Sequence, residues 1–162
     1  MMLQQQYTWT QYVRETLLSF VETAVGDDLN TPMTAYDNKT ICDLLWHSAD
    51  CYFAWIVRFA GVRTDNILKA EACSTLPQLR RLYGQVDEII AAFLKKFGDN
   101  PDESIKGRPD PDGPQVTATP RQIFMHVVSH EFHHKGQIVL MCRLMGHIPP
   151  ETDLSLVFPY EG

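Results

Sequence analysis

Four long stretches of this chain carry apolar residues at steps of three and four, separated by stretches that do not. The first runs from Thr8 to Val25, with Trp9, Tyr12, Val13, Leu17, Phe20, Val21 and Ala24 on the repeat. That spacing belongs to a helix with one buried face. Gly26 supplies its stop. The second begins near Thr40 and continues through "ICDLLWHSADCYFAWIVRFA" to Gly61. Thr40 and Asp43 stand at the spacing of a capping box, with Asp in place of the usual Glu. The third begins near Ser74 or Thr75, tolerates Pro77 in its first turn and ends at Gly98. The fourth opens at Thr119-Pro120, a cap residue followed by proline at the first helical position. It runs to about Met145, and Gly146 follows.

Residues 99–118 hold four prolines and two glycines, which excludes a helix there and predicts a long loop. No stretch shows a convincing strand alternation. The prediction is an all-α four-helix bundle with this loop between helices 3 and 4. The tail is apolar enough for Leu154, Leu156, Val157 and Phe158 to fold back on the bundle. Loop and tail are both expected to shape the functional pocket.

The length of 162 residues fits a single domain, 1–162. A net charge of −6 without a basic cluster argues against nucleic acid or an anionic membrane as partner. The longest apolar runs, "CYFAWIV" and "IVLMC", are far shorter than a membrane span. The N-terminal segment lacks the basic-then-apolar pattern of a signal peptide, so a cytoplasmic protein is expected. Cys42, Cys51, Cys73 and Cys142 form no C-x-x-C pair and read as buried, reduced thiols.

The candidate chemistry lies in the fourth helix. His126, His130 and His134 recur at four-residue steps, with His133 beside them. Each step advances about 40° around a helix, so the three form one drifting stripe. Imidazoles four apart can meet one metal ion. The third ligand most readily comes from His47, in the middle of the second helix, because bundle cores build metal sites from facing helices. A lone histidine on so apolar an element also reads as an ordinary core residue.

His130-Glu131-Phe132-His133-His134 spells H-E-x-x-H, the signature of a zinc protease. The continuation does not follow. Gln137 and Leu140 occupy the positions where a metzincin needs Gly and His, and Glu151 has no second helix to carry it as a ligand. A di-iron carboxylate bundle would need a second Glu-x-x-His and two further inward glutamates. Glu131 stands at the edge of the histidine stripe and is a candidate general base. Gln137 is placed to hydrogen-bond a ligand histidine or a bound water. Asp43 and Asp50 are placed either to orient His47 or to face solvent.

Over these residues the chain resembles the DinB/YfiT-like family of metal-binding four-helix bundles. The resemblance is carried by His47 within "DLLWHSADCYFAWIVRFAG" and by "HVVSHEFHHKGQIVLMCRLMGHIPP", which is similar to an H-x-x-x-H-x-G-Q pattern before an apolar run and a Gly stop. It implies His47, His130 and His134 as ligands of one divalent metal ion. Three neutral imidazoles leave a position open, as in catalytic sites. Zinc fits best, and nickel or iron also accept imidazole. The resemblance further implies activation of a low-molecular-weight thiol or of water, for transfer to or hydrolysis of a small-molecule substrate, and a homodimer. A non-catalytic metal-binding stress protein is the alternative. Gly136, inside the helix, is expected to permit a close helix contact.

Overall fold

The computed structural model describes residues 2–64 and 73–158. Four helices dominate it: α1 Met2–Phe20, α2 Ile41–Tyr52, α3 Leu76–Phe97 and α4 Pro120–Leu144. α2 lies between α4 and α3, and α1 covers both of these from the other side. The fold is the expected all-α bundle.

The helix starts are set locally. Asp43 N–H donates to Thr40 Oγ1 at 3.0 Å while Thr40 N–H donates to Asp43 Oδ2 at 2.9 Å, so the Thr40/Asp43 box forms with the shorter acid. Thr119 and Gln122 cap α4 reciprocally, at 2.9 and 3.2 Å, with Pro120 at the first position. Gln78 Oε1 accepts from Thr75 N–H at 3.0 Å at the head of α3. Gly146, after α4, has φ of +91°, which only glycine adopts easily. Tyr52, Phe53, Phe93, Phe124, Ile56 and Ile90 are among the large side chains buried almost completely in the core. Each contributes on the order of 1.5–3 kcal/mol by leaving water.

Several local expectations are corrected. Helix α1 begins at Met2, not Thr8, and its last expected turn, Val21–Val25, is π-helical. Its buried face is rotated: Tyr12 and Ala24 are exposed, whereas Tyr7, Thr10, Arg14 and Leu18 are buried. A buried arginine on that face has a partner, described below. The second helix is α-helical only to Tyr52 and continues as a π-helical stretch, Phe53–Phe59. Loop 99–118 contains two short antiparallel strands, β1 Ile105–Gly107 and β2 Val116–Ala118, with Ile105 opposite Ala118. They dock on the end of the π-helical stretch. Arg58 Nε donates to the Pro109 carbonyl at 2.8 Å. A Cβ on Gly107 would lie 2.3 Å from the Phe59 carbonyl oxygen, so only glycine fits there. Three residues per strand are too few to show an alternation.

The tail forms a 3-10 turn, Leu154–Val157, against α1. Leu154, Leu156 and Val157 are half-buried as expected, but Phe158 is exposed. Lys135 on α4 donates to the Thr152 carbonyl and ties the tail down. All four cysteines are buried and free. Among the described residues no helix is long and apolar enough to cross a membrane.

Candidate metal centre

α2 and α4 pack along a common seam, and it is there that His47, His130 and His134 meet. Their rings lie 5.1 Å (His47–His130), 4.8 Å (His47–His134) and 4.4 Å (His130–His134) apart, centroid to centroid. One nitrogen from each lies within 4.8 Å of the others, a group that can hold a metal ion. His47 is exposed rather than a core residue: it lies at the open edge of the seam while Leu44, Leu45 and Ser48 are buried.

Two details fit the donor set to a metal. The Nε2 atoms of His130 and His134 face each other at 3.2 Å. Nitrogens about 2.0–2.1 Å from one tetrahedral zinc lie about 3.3 Å apart. Gln137 Oε1 accepts from Nδ1–H of His134 at 2.6 Å, which places that ring's lone pair on Nε2, toward His130. Nδ1 of His130 is buried with no hydrogen-bond partner. Among the described residues the His130 ring is thus held by its neighbouring histidines and not by a hydrogen bond at Nδ1. Burial, and then the adjacent His134 and His47, push His130 down to about 4, so it is neutral and free to donate near neutral pH. Burial also lowers His134, against the opposing effect of Gln137.

His47, His134 and Gln137 form one side of an open pocket of about 650 Å3. The other side is the segment between α1 and α2, with Tyr36, Asp37 and Lys39, joined by Trp46 from α2. A tight turn shapes this wall. Lys39 N–H donates to the Tyr36 carbonyl at 2.8 Å, and the two central residues have positive φ, 51° at Asp37 and 59° at Asn38. That is a type I′ turn, for which Asp and Asn are suited. The expectation that loop 99–118 and the tail shape this pocket is thereby corrected: the first sits at the far end of α2 and the second on α1.

A model of the DinB family matches residues 1–159. The chain belongs to the DinB family. A DinB-like protein of Bacillus subtilis, YjoA, superposes with a TM-score of 0.57 at 20% identity, over 86% of this chain and 91% of that one. At that identity the likeness establishes the shared fold. No curated protein matches.

The remaining candidates of this DinB-family chain fall elsewhere. Glu131 turns away from the histidines into the interior. Arg14 donates to its two carboxylate oxygens, from Nε at 2.6 Å and Nη2 at 2.9 Å, and Tyr52 Oη donates to Oε2 at 2.5 Å. A carboxylate held in this way has no free lone pair aimed at the pocket, so the general-base role expected of Glu131 finds no geometric support. His126 lies one turn from His130, outside the group, beside Trp55 and with Nε2 3.7 Å from Cys51 Sγ. Burial pushes the Cys51 thiol up to about 12, which keeps it protonated. His133 rests its ring on His134, 5.0 Å between centroids. Asp43 caps α2 and Asp50 pairs with Arg58 at 3.3 Å, so neither orients His47. Gly136 is exposed, and a Cβ there would meet nothing within 4 Å, so it serves no close contact among the described residues.

Sequence reasoning missed Tyr36, Asp37, Lys39 and Trp46 in the pocket, and Arg14 and Tyr52 behind Glu131. Only Arg14 carried a signal: a charge among the apolar positions Val13, Leu17 and Val21.

Proposed function

We propose that this DinB-family protein is a metal-dependent enzyme acting on a small molecule, with His47, His130 and His134 as ligands of one divalent ion, zinc in the first place. The observation that carries this reading is the three-histidine group, two members of which, His47 and His134, line an open pocket of about 650 Å3. Three ligands with room beside them mark a catalytic site, whereas structural zinc is closed by four. Bound there, a divalent ion supplies Lewis acidity that activates water or a low-molecular-weight thiol at neutral pH.

The chain's own residues do the rest. Gln137 fixes the His134 ring, and with it the direction in which Nε2 would offer its lone pair to an ion. Tyr36 and Trp46 offer aromatic faces to the apolar part of a substrate, and Lys39 offers a cation at the rim. The reaction is transfer of a thiol to an electrophile or hydrolysis of it. Protease chemistry is disfavoured because Glu131 is engaged in the interior. It is disfavoured also because β1 and β2, the strands among the described residues, dock about three helical turns along α2 from His47.

Metal analysis of the purified chain, then turnover of electrophiles with and without added low-molecular-weight thiols, tests the reading. One metal per chain with thiol-dependent turnover is expected. Metal without turnover would leave a non-catalytic metal-binding protein. We also propose that two copies pair through helix faces. Met125, Leu140 and Leu144 are exposed on one side of α4, around Gly136. Sedimentation showing only monomer at micromolar concentration removes the pairing.

A further inference from the structure

Behind α4, on the side away from the pocket, all four helices contribute to one largely buried polar cluster. Tyr7 and Arg14 come from α1, Tyr52 from α2, Asp87 from α3 and Glu131 from α4. Arg14 holds Glu131 with two nitrogens, and its Nη1 donates to Asp87 Oδ1 at 2.7 Å. Tyr7 Oη donates to the same Asp87 oxygen at 2.6 Å, and Tyr52 Oη to Glu131 Oε2 at 2.5 Å. Burial, and next the Glu131 charge, push the Tyr52 hydroxyl far above its ordinary range, so it stays a donor. Arg14, Glu131 and Tyr52 are exposed by only 6%, 7% and 0%, so this part of the cluster sits in the dry core, while Asp87 stands at its half-exposed rim.

A buried ion pair is weak evidence for stability, because apolar residues of similar volume often serve as well. What such a cluster supplies is a single relative placement of the parts it joins. Its two tyrosine bonds differ in what they join. Tyr7–Asp87 links α1 to α3, neither of which bears a histidine of the group. Tyr52–Glu131 links α2 to α4, the two helices that bear all three. Tyr52 follows His47 by five residues, and Glu131 is the neighbour of His130.

We propose that Tyr52 and Glu131 are positioning residues for the metal centre: their hydrogen bond fixes α2 against α4, and so His47 against His130 and His134. The proposal rests on the three-histidine reading above. The physical need is specific. His130 and His134 share one helix, so helix geometry alone sets their separation. His47 arrives across the seam, where apolar contacts are non-directional and tolerate small sliding. Metal–ligand distances tolerate only about 0.2 Å. A short directional bond to a buried carboxylate, itself pinned by Arg14, supplies the missing constraint.

The test compares Tyr52→Phe with Tyr7→Phe in the full chain. Each removes one hydroxyl from a side chain exposed by 0% and 2% respectively. Each takes one donor from a carboxylate oxygen that keeps Arg14. Co2+ titration, followed by its visible absorption bands, reads affinity and ligand geometry together. Thermal melting of the metal-free proteins reads the fold. Tyr52→Phe is expected to weaken Co2+ binding about tenfold and to change the bands, while Tyr7→Phe stays within about twofold of the wild type. A purely structural role would lower both melting temperatures without separating the affinities. Wild-type affinity and bands in Tyr52→Phe, or an equal loss in Tyr7→Phe, overturns the proposal.

Should Tyr52→Phe not fold, Arg14→Met/Tyr52→Phe/Glu131→Leu removes the clamp without stranding a charge in the core, since Asp87 is half-exposed and keeps Tyr7. Weak Co2+ binding in that folded chain supports the proposal, and wild-type binding overturns it. A wild-type chain that takes up no Co2+ sinks the three-histidine reading and this proposal with it. A failure of the clamp alone leaves wild-type binding intact.

Discussion

His130 and Glu131 are neighbours in the chain, and α4 sends them into opposite surroundings. His130 stands with His47 and His134 beside the open pocket that those two line, its Nδ1 buried without a partner. Glu131 faces the core, and both its oxygens are taken. The histidine side gathers ring nitrogens, one from each histidine, that can hold an ion. The glutamate side is complete and holds the helix. Residues spelling one protease motif thus divide between recognition and architecture, because one helical step turns a side chain by about 100°.

The contrast predicts separable losses. The largest is in stability. Arg14→Ala leaves Glu131 charged and buried, and should lower the unfolding free energy by about 3–5 kcal/mol in urea denaturation. A cost under about 1 kcal/mol would show that the cluster is not the dry, tightly paired core described here. On the histidine side, His47→Ala should abolish stoichiometric metal on dialysis. Its metal-free stability should stay within about 0.5 kcal/mol of the wild type, since His47 is exposed. One metal per chain retained in that variant would break the comparison. Glu131→Gln, whose amide oxygen can still accept from Tyr52 Oη, should keep the metal on dialysis, in contrast to His47→Ala.

Acid sharpens the contrast. His130 is held at about 4 in the fold against 6.5 for an ordinary histidine. Between those values the unfolded chain binds the additional proton, so acid favours unfolding. The metal-free protein should lose stability as pH falls below 6.5, with this contribution levelling off below about 4. His130→Ala should flatten that part of the melting-temperature profile. An unchanged profile would mean that His130 titrates normally. The smallest effect belongs to Gly136, exposed in mid-helix with open space around it. Gly136→Ala should raise the melting temperature, by about 0.5–1 kcal/mol of added stability. A lower melting temperature would place a neighbouring surface against Gly136, as a paired copy would.

Legibility in the sequence followed the range of the interactions. Thr40 with Asp43 and Thr119 with Pro120 were readable because a cap needs only three or four neighbouring residues. The histidine stripe was readable because α4 spaces it. Joining His47 to it relied on the logic of facing helices and on resemblance to the family. Glu131 was misjudged because the hydrophobic period does not say which edge of a stripe finds a buried cation, and Arg14 lies 117 residues away. The pocket wall at Tyr36–Lys39 was unreadable for the same reason: its partner across the cavity is set by how α2 lies on α4. The turn to π-helix at Phe53–Phe59 left no compositional mark.

The type I′ turn at Asp37-Asn38 has a thermodynamic consequence for whatever enters the pocket. Its backbone is already confined, by the Tyr36–Lys39 hydrogen bond and by the bridge between Met33 and Lys39. Ordering a free segment costs about 1–2 kcal/mol per residue. A wall that is ordered beforehand spares the ligand that entropic penalty. Tyr36 and Lys39 are therefore presented as a rigid template, and association should proceed in a single step without loop closure.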